Sequence, residues 1–281
     1  MKNHKIKLVA SDLDGTLLNT DKHLSKKTFD AINRLLLEDI IFVPSTGRSL
    51  HSVPKFIKDI PSLKYLITSN GAVINHLPTN SNIASFNLSP AIVTSIIEII
   101  RSNDIMIEAF SKGFAYCDEN TMNNLSRYGV FGSHADYVLK TRTHVKNIYT
   151  FFEENINHIE NINLIFKDLN LRTYIFDILS KELSECITSS SPYNLEIASP
   201  FASKGKSLKH LCSLLKINMD HVMCFGDGEN DIDMFEICQF SFAMENSQNN
   251  VKLKASYLAP HCNEDGVAKI LDDYIFHNSF I

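Results

Sequence analysis

A chain of 281 residues exceeds the usual size of one compact domain, so a main domain with a second or inserted one is expected. Its hydrophobic share of 44% and charged share of 21% exclude a disordered chain, and a formal net charge of -5 with a pI near 6.1 argues against a holder of long nucleic acid, which needs a basic face. A small substrate is the better expectation. The longest apolar stretch, Ala91 to Ile100, is broken by Thr94, Ser95 and Glu98 and falls short of the roughly 20 residues of a membrane span. Lysines interleave the run from Met1 to Val9, which carries no apolar signal region, so a cytoplasmic protein free of the membrane is expected. Cys117, Cys186, Cys212, Cys224, Cys238 and Cys262 form no Cys-x-x-Cys pair and read as reduced, mostly buried thiols, with no zinc site at His261-Cys262.

In chain order, Ile6 to Ser11 is the short unbroken apolar run of a strand buried on both faces. Ser25 caps a helix in which Phe29, Ile32, Leu35 and Leu36 recur at helical spacing, ending near Asp39. A strand follows at Ile40 to Pro44, a helix at Leu50 to Ile57 and a strand at Tyr65 to Thr68. The alternation resumes with a helix at Lys204 to Leu215, strands at Val222 to Phe225 and Phe240 to Met244, and helices from Asp231, at Ser247 to Lys254 and at Asp265 to Phe276. Both ends therefore build one doubly wound α/β domain with a mostly parallel, Rossmann-like sheet. Between them lie a helix at Pro90 to Ser102, short strands at Ile105 to Phe110 and Phe114 to Cys117, a polar stretch from Ser126 to His144, and a hairpin of Cys186 to Ser189 with Tyr193 to Ile197. This texture predicts an inserted α/β lobe, dividing the chain into residues 1–83, 84–198 and 199–281.

Ligands of open α/β sheets bind beyond the carboxyl ends of the strands, so polar residues just after apolar runs carry functional weight. Asp12-Leu13-Asp14-Gly15-Thr16 follows the first strand, Ser45-Thr46-Gly47-Arg48 the second, and Gly226-Asp227-Gly228-Glu229-Asn230-Asp231 follows Val222 to Phe225. Asp12, Asp14, Asp227 and Asp231 would repel one another in a dry crevice without a shared cation, and an all-oxygen set suits Mg²⁺ better than zinc. Such a site is built for phosphate: one carboxylate attacks phosphorus in line and the other moves the proton. Gly15 permits the tight turn between the two and Thr16 holds it by local hydrogen bonding. Thr46 supplies a hydroxyl, and Lys204, opening a helix in Ser203-Lys204-Gly205, is the charge partner for the phosphate and Asp12.

These blocks, in this order and over nearly the whole chain, resemble the haloacid dehalogenase superfamily of phosphatases, in particular its Cof-like branch with a large α/β cap. The resemblance implies a nucleophile at Asp12, a general acid/base at Asp14, catalytic roles for Thr46 and Lys204, and Mg²⁺ held by Asp12, Asp227, Asp231 and the carbonyl of Asp14. It implies substrate contacts from Thr46, Gly47, Arg48, Asn70, Lys204 and Asn230, with Asn230 and Asp231 also positioning water and ligands. Ser69-Asn70-Gly71-Ala72 resembles the family's Asn-Gly-Ala segment, and Ala243-Met244-Glu245-Asn246-Ser247 its Ala-Met-Gly-Asn-Ala segment, with Glu245 where glycine is usual. The expectation is a phosphomonoesterase for a small phosphorylated metabolite, a sugar phosphate first and a nucleotide or cofactor phosphate next. No obligate protein partner is implied. The alternatives are a phosphomutase or phosphotransferase on the same scaffold and a phosphate-sensing module without turnover.

Overall fold

The computed structural model describes residues 6–276; residues 1–5 and 277–281, including most of the N-terminal stretch read for a targeting signal, lie outside the described residues. The chain divides into two compact units: one runs through Gly47, Lys55–Ala84 and from Ser203 onward, the other comprises Arg48–Pro54 and Ser85–Ala202.

The first unit is organised by a five-stranded parallel sheet. Its order is Tyr257–Ala259, Phe240–Met244, Val222–Gly226, Leu8–Ser11, Ile41–Pro44. Every residue of Leu8–Ser11 is buried, as a strand covered on both faces requires. An isolated parallel bridge from Ser45 to Ile67 sets Tyr65–Thr68 beside Ile41–Pro44, and this strand pairs antiparallel with Val73–His76 in a three-stranded sheet that Ser81–Ser85 completes. The helix Lys26–Leu37 begins where the Ser25 hydroxyl accepts from the Thr28 amide at 3.0 Å, and it buries Thr28, Ala31, Ile32 and Leu35 along one stripe. The segment from Leu50 to Ile57 is a 3₁₀ turn, Leu50–Ser52, and a single α turn, Lys55–Lys58, because Pro54 interrupts any continuous helix. The last helix is α-helical over Gly266–Leu271 and widens to a π turn over Asp272–Phe276.

Register decides where the chemistry falls. Leu8 pairs with both Ile41 and Val222, and Ser11 with Pro44 and Phe225, so three strands end level with one another. Strand order grows outward in opposite directions from Leu8–Ser11 and Val222–Gly226, which makes their junction the switch point of the sheet.

The second unit is built on a six-stranded sheet ordered Ile187–Thr188, Asn194–Ala198, Ile159–Ile165, Met106–Ser111, Phe114–Asp118, Arg142–Val145, antiparallel except for its last pair. Its apolar core includes Ile96, Phe152, Ile162, Ile175 and Leu195, joining the sheet to the helices Pro90–Ile100, Ile148–Glu154 and Leu169–Leu183. A second cluster gathers Met106, Cys117, Met122, Tyr128, Val138 and Ile165. The expected polar stretch from Ser126 to His144 contains the helix Gly132–Thr141, which contributes Val138 to that cluster. Across neighbouring strands Glu108 faces Asn163, and Asn163 faces Glu196, giving a row of polar side chains on the sheet. Arg48–Pro54 joins this unit through His51, whose amide donates to the Gly113 carbonyl at 2.9 Å and whose ring stacks on Phe114. All six cysteines are free and buried.

Candidate active site

Asp12 leaves the first strand with its amide still bonded to the Phe225 carbonyl at 3.0 Å, so its position is tied to the strand that delivers Asp227. Lys204 opens the helix Lys204–Leu214, with Ser203 as its cap, and only 1% of it is exposed. Its Nζ donates to Asp12 Oδ1 and to Asp231 Oδ1, both at 2.6 Å. The second oxygen of Asp231 accepts from the Asp227 amide at 2.9 Å and the Gly228 amide at 3.0 Å, folding the loop so that Asp227 turns inward. Asp227 Oδ1 accepts from the Thr16 hydroxyl at 2.8 Å. Thr16 therefore fixes a carboxylate far away in sequence; it was expected to hold its own turn. Gly15 has φ +86°, and a Cβ there would lie 2.5 Å from Asp227 Oδ2, so both the turn and the carboxylate above it require glycine.

Carboxyl oxygens of Asp12, Asp227 and Asp231 lie within 4.8 Å of one another. Burial pushes Asp12 well above the usual carboxylate range; Lys204 opposes this, while Asp231, Asp227 and Asp14 add to it. Burial and the adjacent Asp231 likewise push Asp227 up to about 6, against the Thr16 hydrogen bond. Lys204 stays an ammonium: burial works against its charge, but Asp12 and Asp231 hold it above its ordinary range. The set thus holds more negative charge than its lysine neutralises, and the donors are all hard oxygens. A divalent cation such as Mg²⁺ fits both features.

Asp14 stands half-buried, with its carboxylate 3.0 Å from Lys22 Nζ, a partner that no motif marks. Thr46 is buried; its amide donates to the Ile67 carbonyl and its carbonyl accepts from the Asn70 amide at 3.1 Å. Asn70 adopts φ 54°, ψ 36°, a left-handed conformation that asparagine tolerates, and its Oδ1 accepts from Asn230 Nδ2 at 3.0 Å. Gly47 lies against the Asn70 carboxamide, where an added Cβ would come within 3.0 Å of Oδ1. Arg48 falls in the second unit, its Nη1 donating to the Ser52 carbonyl and its guanidinium 4.9 Å from the centre of the Tyr137 ring.

Asn246 ties two loops together: its Nδ2 donates to the Gly15 carbonyl at 2.8 Å and its Oδ1 accepts from the Cys262 amide at 3.0 Å. Glu245 is exposed, keeps negative φ and donates its amide to the Ala259 carbonyl, so the usual glycine is not required by the backbone here. The bonds of Asn246 to Gly15 and of Thr16 to Asp227 carry no local signal, since each joins residues more than 200 positions apart.

A switch-point crevice with this acidic set and lysine is the arrangement of the haloacid dehalogenase-like hydrolases, whose family model matches residues 9–271. The chain belongs to that family and is a hydrolase of the phosphatase type, as the motif resemblance implied. It is 30% identical over 272 residues to the 5-amino-6-(5-phospho-D-ribitylamino)uracil phosphatase YcsE of Bacillus subtilis, covering 96% of each chain. The fold is similar to that of a haloacid dehalogenase-like hydrolase from B. subtilis, with TM-score 0.83 and 24% identity over 95% of this chain and 99% of the other. It is also similar to that of the subclass IIB sugar phosphatase BT4131, with TM-score 0.80 and 19% identity over 95% and 98%. Among the described residues no helix is long and apolar enough to cross a membrane.

Proposed function

We propose that the protein is a Mg²⁺-dependent phosphomonoesterase of the cytoplasm that hydrolyses a small phosphorylated metabolite through a phospho-Asp12 intermediate. The observation that carries this reading is the Lys204 ammonium shared by Asp12 and Asp231, with Asp227 in reach of both. Asp12, Asp227 and Asp231, with the Asp14 carbonyl, would hold the metal. Bound there, such a cation would neutralise charge on the carboxylates and on the phosphoryl oxygens.

A carboxylate oxygen of Asp12 forms a bond to phosphorus while the bond from phosphorus to the leaving oxygen breaks, and Asp14 gives that oxygen its proton. Asp14, now ionised, takes a proton from water; the resulting hydroxide attacks phosphorus, the bond to Asp12 breaks, and inorganic phosphate leaves. Lys204 orients Asp12 throughout and balances charge on the phosphoryl group, with Thr46 and the Gly47 backbone as hydrogen-bond donors to it. Asn70 and Asn230 complete the substrate contacts of the first unit. A phosphorylated sugar or sugar alcohol is the favoured substrate class, as the names of YcsE and BT4131 suggest, ahead of nucleotide and cofactor phosphates.

The test is turnover of p-nitrophenyl phosphate and a panel of phosphorylated metabolites with and without Mg²⁺. Metal-dependent release of inorganic phosphate is expected. Return of the phosphoryl group to a sugar would make the protein a phosphotransferase, and binding without turnover would make it a sensor.

A further inference from the structure

Lys204 reaches its two carboxylates from the first residue of a helix, and a lysine side chain is long and rotatable. Where its ammonium sits therefore depends on how firmly the backbone at that helix start is held. The amide of the next residue, Gly205, donates to Asp233 Oδ2 at 2.8 Å. A Cβ on Gly205 would lie 2.5 Å from the Asp233 carbonyl oxygen and 2.8 Å from Oδ2, so the helix start rests directly on Asp233. Asp233 stands two residues beyond Asp231, which grips the other end of the same lysine. The opposite side is closed as well: a Cβ on Gly71 would lie 2.1 Å from the Ser203 carbonyl oxygen, and the Ser207 hydroxyl donates to the Gly71 carbonyl.

We propose that Asp233 is a positioning residue, which through the Gly205 amide holds the start of the Lys204 helix at the height that brings the ammonium onto Asp12 and Asp231. The role of the lysine in turnover rests on the phosphatase reading above; its placement by Asp233 does not.

The physical case separates placement from stability. The first four amides of a helix have no partner within it, and an anion beside them is favourable. Ser203 serves one of them here, its side chain taking the Lys206 amide, while its carbonyl takes the Ser207 amide as the first regular bond of the helix. Asp233 takes the Gly205 amide, a buried group, so removing the carboxylate carries a cost in stability that the melting curves register apart from kcat. Placement is less forgiving, because a shift of about 1 Å in a reacting constellation lowers the rate by about a hundredfold.

The experiment compares Asp233→Ala, Asp233→Asn and Gly205→Ala for kcat and KM with p-nitrophenyl phosphate, with melting curves to correct for any unfolded fraction. Lysine ammonium NMR serves as a second readout, the Lys204 signal being identified by its loss in Lys204→Arg. Expected are a fall in kcat of about ten- to a hundredfold with little change in KM for Asp233→Ala and Gly205→Ala, and near-normal kcat for Asp233→Asn, whose carboxamide oxygen still accepts from Gly205. The buried Lys204 ammonium signal should be retained in Asp233→Asn and shifted or broadened in Asp233→Ala. Unchanged kcat and an unchanged ammonium signal in Asp233→Ala, or equal losses in the Ala and Asn variants, would overturn the proposal. A wild-type protein without turnover would sink the phosphatase reading and leave the ammonium signal to decide on Asp233.

Discussion

Asp12 in the first unit and Glu108 in the second are both deeply buried carboxylates, yet their proton affinities move in opposite directions. Burial alone would raise Glu108, but Arg142 reverses this with contacts of 2.6 and 3.0 Å, and Asn163 adds a further bond at 2.9 Å. Glu108 is left below its ordinary range. Asp12 is pushed well above its own range by burial, which the one lysine it shares with Asp231 does not offset and to which Asp231, Asp227 and Asp14 add. Where charge serves the fold, the chain supplies the partner. Around Asp12, the nucleophile of the proposed mechanism, it leaves a deficit that a cation and a phosphoryl group can fill.

The largest effect expected from this contrast is at the uncompensated acid. Asp12→Asn should lower turnover by roughly 10⁴-fold or more and abolish acid-stable phosphoenzyme, whereas Asp14→Asn should cost about 10²- to 10⁴-fold by slowing proton transfer. Rapid-quench measurement with labelled substrate checks both, and the reverse pattern would refute the division of labour.

The compensated acid should respond in stability. Arg142→Ala strands Glu108 as an unpaired buried charge, and a loss of about 3–5 kcal/mol in denaturant unfolding is expected. A double variant replacing both partners with apolar residues should recover much of it. Equal losses in the single and double variants would break the contrast.

A smaller effect follows from protons. Asp227, held up near 6, is neutral below that pH and charged above it, so its ionisation opposes folding of the metal-free protein as pH rises through about 6. Mg²⁺ reverses this, and its affinity should fall roughly tenfold from pH 7 to pH 5. The rise in melting temperature on adding Mg²⁺ should accordingly be larger at pH 7.5 than at pH 5; a pH-independent shift would separate the metal from Asp227.

The smallest effect concerns the Asn246 bridge. Asn246→Ala leaves the Gly15 carbonyl and the Cys262 amide without their partner, and a loss of about 1–3 kcal/mol is expected. Thermal melting measures it.

The same two regions show what sequence reading can reach. Leu8–Ser11 and Val222–Gly226 are apolar runs followed at once by acids, because parallel strands buried on both faces leave polar residues only at their ends. That is why Asp12, Asp227 and Asp231 could be singled out, and the structure gathers them with Lys204. Ser81–Ser85 and Tyr257–Ala259 carry little signal: both are short and largely exposed, the first is mostly polar, and the second is an apolar run of only three residues. Ser247 to Lys254 was expected as one helix but is helical only over Asn249–Lys252, a single turn too short for a periodic pattern to bound. Lys22 on Asp14 and Asp233 on Gly205 were invisible for another reason. A lysine in a turn and an acid in a short helix are common surface choices, and only their partners distinguish them.

The excursion of Arg48–Pro54 into the second unit bears on modularity. With His51 stacked on Phe114 and bonded to Gly113, this short strap belongs to the scaffold that Ser85–Ala202 builds, although it is encoded far upstream. The lobe is therefore not a cassette with two splice points. Excising Ser85–Ala202 would orphan the strap, and transplanting that segment into a related enzyme would omit it. A chimera that exchanges Arg48–Pro54 together with Ser85–Ala202 keeps the heritable unit whole, and recombination libraries for this family would need four junctions in place of two.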